Sequence, residues 1–173
     1  MPYWRLFYHL VWATRGREPL IGEREERVIR RSIQTTLDAM HVIPHAVGMM
    51  PDHVHVVASI PPSVLVAEVV KRLKGASTYA VNHEDRSKRE QPFAWQGEYG
   101  VLSFGERALP NVVAYVQNQR EHHVKGETWP GLERIDDDKQ SASAGCPLGV
   151  IWVSPGFEPR ATRARRTDRG TTH

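Results

Sequence analysis

Residues 42–60 read as a β-hairpin, and no other feature limits the folds open to this chain as strongly. Val42–Gly48 and His53–Ile60 (HVHVVASI) are apolar runs of strand length. Between them stands Met49-Met50-Pro51-Asp52, where Pro fixes φ and Asp tolerates turn geometry. A helical pattern lies on each side. Gly22–Met40 carries the stripe Val28, Ile29, Ile33, Leu37 and Met40, with Arg24, Glu25, Arg27, Arg31 and Asp38 on a solvated face. Ser63 can cap a second helix running to about Asn82, with Val66, Val69, Val70, Leu73 and Ala80 facing a core. Leu6–Ala13 (LFYHLVWA) reads as a buried strand and Tyr99–Phe104 as a short fourth one, after a charged loop at Glu84–Pro92. Pro110 opens a third helix reaching about His123.

The order β-α-β-β-α-β, then α, predicts an α+β fold. The expected form is a ferredoxin-like (RRM-like) split sheet with both crossover helices on one face and an added C-terminal helix. The chain has 173 residues, which suits one domain and a tail. We expect the domain over residues 1–135 and a disordered, flexible basic tail over 136–173, where the sequence turns acidic, then small and polar, then rich in Pro, Arg and Thr. The formal net charge of +3 is confined to Glu158–His173, with five arginines against two acids. Basic character therefore says nothing about a nucleic-acid site in the domain. The tail reads as a solvated extension or as a nonspecific phosphate-binding arm.

No apolar run approaches the roughly 20 residues that span a bilayer, and MPYWRLFYHLVW lacks the pattern of a signal peptide. A single cysteine, Cys146, excludes an internal disulfide framework and fits a reducing cytoplasm. The expectation is a cytoplasmic protein with no membrane partner.

Chemistry enters with Pro51-Asp52-His53-Val54-His55. Strand side chains alternate, so His53 and His55 share one face while Val54, Val56 and Ala58 suit the helix-covered face. Such a pair can be two surface histidines or two nitrogen ligands of one divalent metal. Asp52 can make the turn or orient His53, and the turn is the reading adopted here. In the last helix Tyr115 and Gln119 stand at i and i+4, neighbours on one face. They can be a surface phenol beside a solvated amide. Alternatively, if the free sheet face receives this helix, Gln119 can offer an amide oxygen to the metal and Tyr115 a nucleophile for phosphoryl transfer. His122 and His123 stand at i+3 and i+4 from Gln119, where they can take a role near the metal or phosphate; the reading adopted is helix-end residues favoured by the dipole. Lys71, Arg72, Lys74 and Thr78 form a basic stretch that can hold a DNA backbone or merely be solvated. Trp12, Trp95 and Tyr99 can stack bases but are more often buried.

These segments together resemble the single-tyrosine HUH (His-hydrophobic-His) transposases of bacterial insertion sequences and the related REP-associated tyrosine transposases. The resemblance rests on His53-Val54-His55, on Tyr115 with Gln119, and on four further stretches. They are Tyr8-His9-Leu10-Val11-Trp12-Ala13-Thr14, Arg17-Glu18-Pro19-Leu20-Ile21, Val70-Lys71-Arg72-Leu73-Lys74-Gly75 and Trp95-Gln96-Gly97-Glu98-Tyr99-Gly100. They occur in the family's order over roughly residues 3–135.

The resemblance implies a metal-dependent endonuclease and strand transferase for single-stranded DNA, using Mg²⁺ or Mn²⁺ and recognising DNA hairpins at element ends. It assigns His53, His55 and Gln119 to the metal, and Tyr115 to a covalent 5′-phosphotyrosine. Relatives include monomers and homodimers with shared active sites, and they meet the bacterial nucleoid when bound to DNA. Two other readings are carried forward. One is a host-adopted, non-catalytic DNA-hairpin-binding module. The other is a phosphoester hydrolase in which Tyr115 is incidental.

Overall fold

The computed structural model describes residues 3–84 and 91–135. The expected tail, with Cys146, and most of the charged loop lie outside the described residues. Strands β1 (Phe7–Ala13), β2 (Ile43–Met50), β3 (His53–Ser59) and β4 (Gly100–Phe104) form one antiparallel sheet in the order β2-β3-β1-β4. Helices α1 (Glu23–Ala39) and α2 (Val66–Glu84) are the two crossovers. This is the expected α+β split sheet. Three short helices follow: α3 (Leu109–Gln117), α4 (Gln119–Lys125) and α5 (Pro130–Glu133).

All seven residues of β3 are buried, as a strand covered on both faces must be. On one face Leu10, Trp12, Val54, Val56 and Ala58 pack against Ile29, Ile33 and Leu37 of α1 and Val69, Val70 and Leu73 of α2. On the other face Ala46 and Val57 pack against Val112, Tyr115 and Val116 of α3 and Leu132 of α5. The histidine face of the sheet thus receives the late helices.

The boundaries follow from local chemistry. The N-terminus of α1 is closed by the Glu25 carboxylate, which accepts the Gly22 N–H at 2.9 Å. Its C-terminus is closed by His41 in the left-handed region (φ 55), with His41 N–H bonded to Asp38 O and Val42 N–H to Leu37 O. Strand β2 runs through Met50, so the turn is Pro51-Asp52 alone. The Asp52 carbonyl accepts both the N–H (2.8 Å) and the hydroxyl (3.1 Å) of Thr14, which ties this turn to the end of β1.

Two expectations need correction. Ser63 does not cap α2; it sits in a turn, and the Leu65 carbonyl accepts the first helical N–H groups, from Glu68 and Val69. The last helix is not continuous either. It breaks at Asn118 (φ −98, ψ 17), a residue type poorly suited to helix interiors.

Candidate metal and tyrosine site

The site forms where α3, α4 and α5 meet the histidine face. Two glycines make that approach possible. A Cβ on Gly48 of β2 would clash with the Val116 carbonyl oxygen and lie 2.8 Å from Gln119 Oε1. A Cβ on Gly100 of β4 would clash with the Arg134 carbonyl oxygen. The first opening admits α3 and α4, and the second admits the segment after α5.

His53, His55, His9 and Gln119 are all buried. Each metal-candidate imidazole is held by its Nδ1. His53 Nδ1–H donates to Asp52 Oδ1 at 2.6 Å, so Asp52 both makes the turn and orients His53. His55 Nδ1 shares a 2.7 Å hydrogen bond with Nε2 of His9, from the neighbouring strand. Burial, then the proximity of His55, lowers the His9 pKa to about 3. Burial likewise pushes His55 down, which keeps it neutral. Both Nε2 atoms consequently turn toward one point.

That point is occupied by a carboxylate. Glu133 Oε2 lies 3.4 Å from His53 Nε2 and 3.5 Å from His55 Nε2. Its Oε1 accepts a 2.6 Å hydrogen bond from the Tyr115 hydroxyl and stands 3.4 Å from Gln119 Nε2 and 3.5 Å from His123 Nε2. Burial alone would raise the Glu133 pKa. Interactions with His53 and His55, then the Tyr115 hydrogen bond, outweigh burial and hold it well below the usual carboxylate range.

Tyr115 is only 6% exposed. Its oxygen donates to Glu133 and accepts the Trp129 N–H at 3.0 Å, and its ring stacks on His122 at 5.0 Å. Burial first, then the carboxylate hydrogen bond, pushes its pKa up, so the resting group is a neutral phenol.

Gln119 presents its amide N–H, not its oxygen, to His53 Nε2 at 3.2 Å. Its Oε1, His55 Nε2 and His123 Nε2 are buried with no hydrogen-bond partner. His53, His55 and Glu133 offer ligand atoms all within 4.8 Å of one another. Lone pairs and a carboxylate gathered so closely fit a cation, which would satisfy the donors that the protein leaves unpaired.

Residues 2–119 match the family described as transposase, IS200-like. The chain belongs to the IS200-like transposase family. It is similar to the ISDra2 transposase TnpA of Deinococcus radiodurans, at 30% identity over 124 residues, covering 68% of this chain and 86% of that relative. A crystal structure of a Deinococcus radiodurans R1 protein described as a transposase superposes with a TM-score of 0.56 at 25% identity. The match covers 69% of this chain and 95% of the other. A REP-associated tyrosine transposase bound to a REP hairpin shares the fold, with a TM-score of 0.56 at 13% identity over 96% of this chain and 100% of that one. Membership assigns the chain to DNA transposition.

Within this transposase, the four residues expected at one centre (His53, His55, Tyr115 and Gln119) come together through Glu133. Lys71, Arg72, Lys74 and Thr78 do not join them, because α2 covers the opposite face of the sheet. Lys71 and Arg72 are exposed and pair with Glu68, whereas Lys74 donates to the carbonyls of Gln96, Gly97 and Glu98. Trp12 and Trp95 are core residues, and Tyr99 lies against the Lys74 ammonium.

Two members of the transposase site, His9 and Glu133, escape the sequence reading, and a third, His123, has there only an alternative role beside the metal. His9 carried a signal, as the one imidazole in an apolar strand. His123 admits both a helix-end reading and a role near the metal, and its ring lies 5.2 Å from that of His53. Glu133 carried no signal, since nothing local links it to a strand eighty residues earlier. No helix among the described residues is long and apolar enough to cross a membrane.

Proposed function

We propose that this transposase is a metal-dependent endonuclease and strand transferase for single-stranded DNA, acting through a covalent 5′-phosphotyrosine on Tyr115. The observation that carries the reading is the meeting of a phenol, a carboxamide and two oriented imidazoles around one carboxylate.

In the cleavage step the Tyr115 oxygen attacks the scissile phosphorus and the P–O3′ bond breaks. The phenol loses one proton and the departing 3′ oxygen gains one. The products are a 5′-phosphoryl tyrosine and a free 3′ hydroxyl. In the joining step a second 3′ hydroxyl attacks, the tyrosine–phosphorus bond breaks, and a proton returns to the phenol. His53 and His55 would hold Mg²⁺ or Mn²⁺ through Nε2. Gln119 would join through Oε1 after a half-turn of its amide, which exchanges nitrogen for oxygen. The cation, when bound, polarises a phosphate oxygen and stabilises developing charge.

Tyr115 and the histidines meet within one chain, which supports an active site built inside a protomer, whether or not a homodimer forms. The catalytic role falls to residues 1–135, with 136–173 as an appended basic tail. DNA hairpins at element ends are the proposed substrate, in keeping with the hairpin held by the REP-associated relative. Lys71, Arg72 and Thr78 remain the proposed contacts to the DNA backbone, the Lys74 ammonium being held by three backbone carbonyls instead, and the site of action is the bacterial cytoplasm and its nucleoid.

The test offers hairpin-bearing single-stranded DNA with Mn²⁺ and looks for a protein–DNA adduct that survives denaturation. The expected result is an adduct in the native protein and none in Tyr115→Phe. Hairpin binding with no native adduct identifies a binding module instead. Metal-dependent hydrolysis that persists in Tyr115→Phe identifies a phosphoester hydrolase.

A further inference from the structure

We infer that Glu133 belongs to the working site in two capacities, ligating the cation with one carboxylate oxygen and positioning the Tyr115 hydroxyl with the other. The inference rests on the metal and tyrosine chemistry just proposed. It concerns a residue that lies 14 positions beyond the segment matching the family.

The two oxygens of Glu133 have separate partners. Oε2 faces the two histidine Nε2 atoms, at 3.4 and 3.5 Å. Oε1 faces the phenol, at 2.6 Å. One planar carboxylate therefore fixes the distance between the imidazole pair and the nucleophile. His55 Nε2 and Gln119 Oε1, both beside this carboxylate, are buried with no hydrogen-bond partner. A cation among them would engage both and offset the negative charge beside the phenol.

The backbone keeps Glu133 in place. Leu132 is buried against Val112 and Val116, and Ile135 packs with Val11 and Ala13 of β1. The Leu132 and Glu133 N–H groups both bond to the Trp129 carbonyl, and the Trp129 N–H donates to the Tyr115 oxygen. Gly100 leaves room for the Arg134 carbonyl at the sheet. These anchors lie on both sides of Glu133 and aim it at the histidines.

The experiment uses the full chain. Mn²⁺ binding is followed by the electron paramagnetic resonance of the free ion, without DNA, and adduct formation is followed on hairpin DNA at saturating Mn²⁺. We expect Glu133→Gln to weaken Mn²⁺ binding about tenfold or more, while Tyr115→Phe binds Mn²⁺ within about threefold of native. At saturating Mn²⁺, Glu133→Gln lowers the adduct rate about tenfold or more with an unchanged half-saturating DNA concentration, as expected for a misaligned nucleophile. Glu133→Asp keeps the charge with a shorter reach and should retain most metal binding while losing adduct rate. It serves as the second variant should Glu133→Gln not fold.

Native Mn²⁺ affinity in Glu133→Gln overturns the ligand role, and a native adduct rate overturns the positioning role. Either result leaves the proposed function standing. A native protein that neither binds Mn²⁺ nor forms an adduct overturns both.

Discussion

Gly48 and Val116 touch backbone to backbone: the Val116 carbonyl oxygen fills the space where a side chain on Gly48 would begin. Gly48 pairs with His55 across β2 and β3, so this contact sets the height of α3 above the histidines. Gly48→Ala must push the helix away, since a carbonyl cannot move aside as a side-chain tip can. The expected cost is about 1–3 kcal/mol of stability. Mn²⁺ affinity should fall as well, because Gln119 Oε1 lies 2.8 Å from the same point. Thermal unfolding and a Mn²⁺ titration measure both, and an unchanged melting temperature would contradict the packing argument.

His9 acts on the site through its contact with His55. Replacing it with Leu keeps an apolar strand but strips the 2.7 Å partner from His55 Nδ1. The His55 ring then loses its orientation and its preferred tautomer. Partners of this kind are worth about 10–100-fold in metal affinity. His9→Leu should show that loss in Mn²⁺ binding, and His9→Gln, which can still hydrogen-bond Nδ1, should recover part of it. Equal affinities in native protein and His9→Leu would show that His55 needs no such support.

The metal-free protein should lose stability in mild acid. The His9 pKa falls from its ordinary 6.5 to about 3 on folding, because burial excludes the imidazolium and His55 lies beside it. Between those values the unfolded chain binds a proton that the folded chain refuses. Stability is therefore full above pH 6.5 and declines toward pH 3, by about 1.4 kcal/mol per pH unit for one such group. His55 shifts the same way through burial and steepens the decline. Glu133, held below its ordinary 4.5, extends it to lower pH. Urea midpoints measured with a chelator at pH 7, 6 and 5 should fall in that order, and His9→Gln should flatten the slope. Midpoints independent of pH would mean that these imidazoles are charged in the folded protein.

The sheet and the histidine pair were readable because their signals are local. HVHVVASI alternates with period two, so its burial against α1 and α2 puts both histidines on the opposite face. The i, i+4 spacing placed Tyr115 and Gln119 together, and they do converge, although Asn118 interrupts the helix between them. The remaining pieces depend on contacts that no local pattern encodes. Glu133 reaches the site because Gly100 lacks a side chain and because Leu132 and Ile135 find pockets on a sheet formed far earlier in the sequence. Lys74 matched a solvated or DNA-facing helix position by spacing alone, yet three carbonyls from the approach to β4 claim its ammonium.

That difference separates Lys74 from Lys71 in a measurable way. The Lys74 ammonium donates to the carbonyls of Gln96, Gly97 and Glu98 at 2.6, 2.9 and 3.2 Å and lies 5.9 Å from the Tyr99 ring centroid. Lys74→Ala leaves those carbonyls without their donor and should cost about 1.5–3 kcal/mol of stability. Lys71 is exposed, with a distant Glu68 as its partner, so Lys71→Ala should change stability by less than about 0.5 kcal/mol. On single-stranded DNA the order reverses. A lysine that neutralises a phosphate contributes about 0.7 to the slope of log affinity against log salt. Lys71→Ala should lose that increment, while Lys74→Ala should keep the native slope. Anisotropy titrations at four salt concentrations resolve the two. An unchanged slope in Lys71→Ala and in Arg72→Ala would remove α2 from the DNA path.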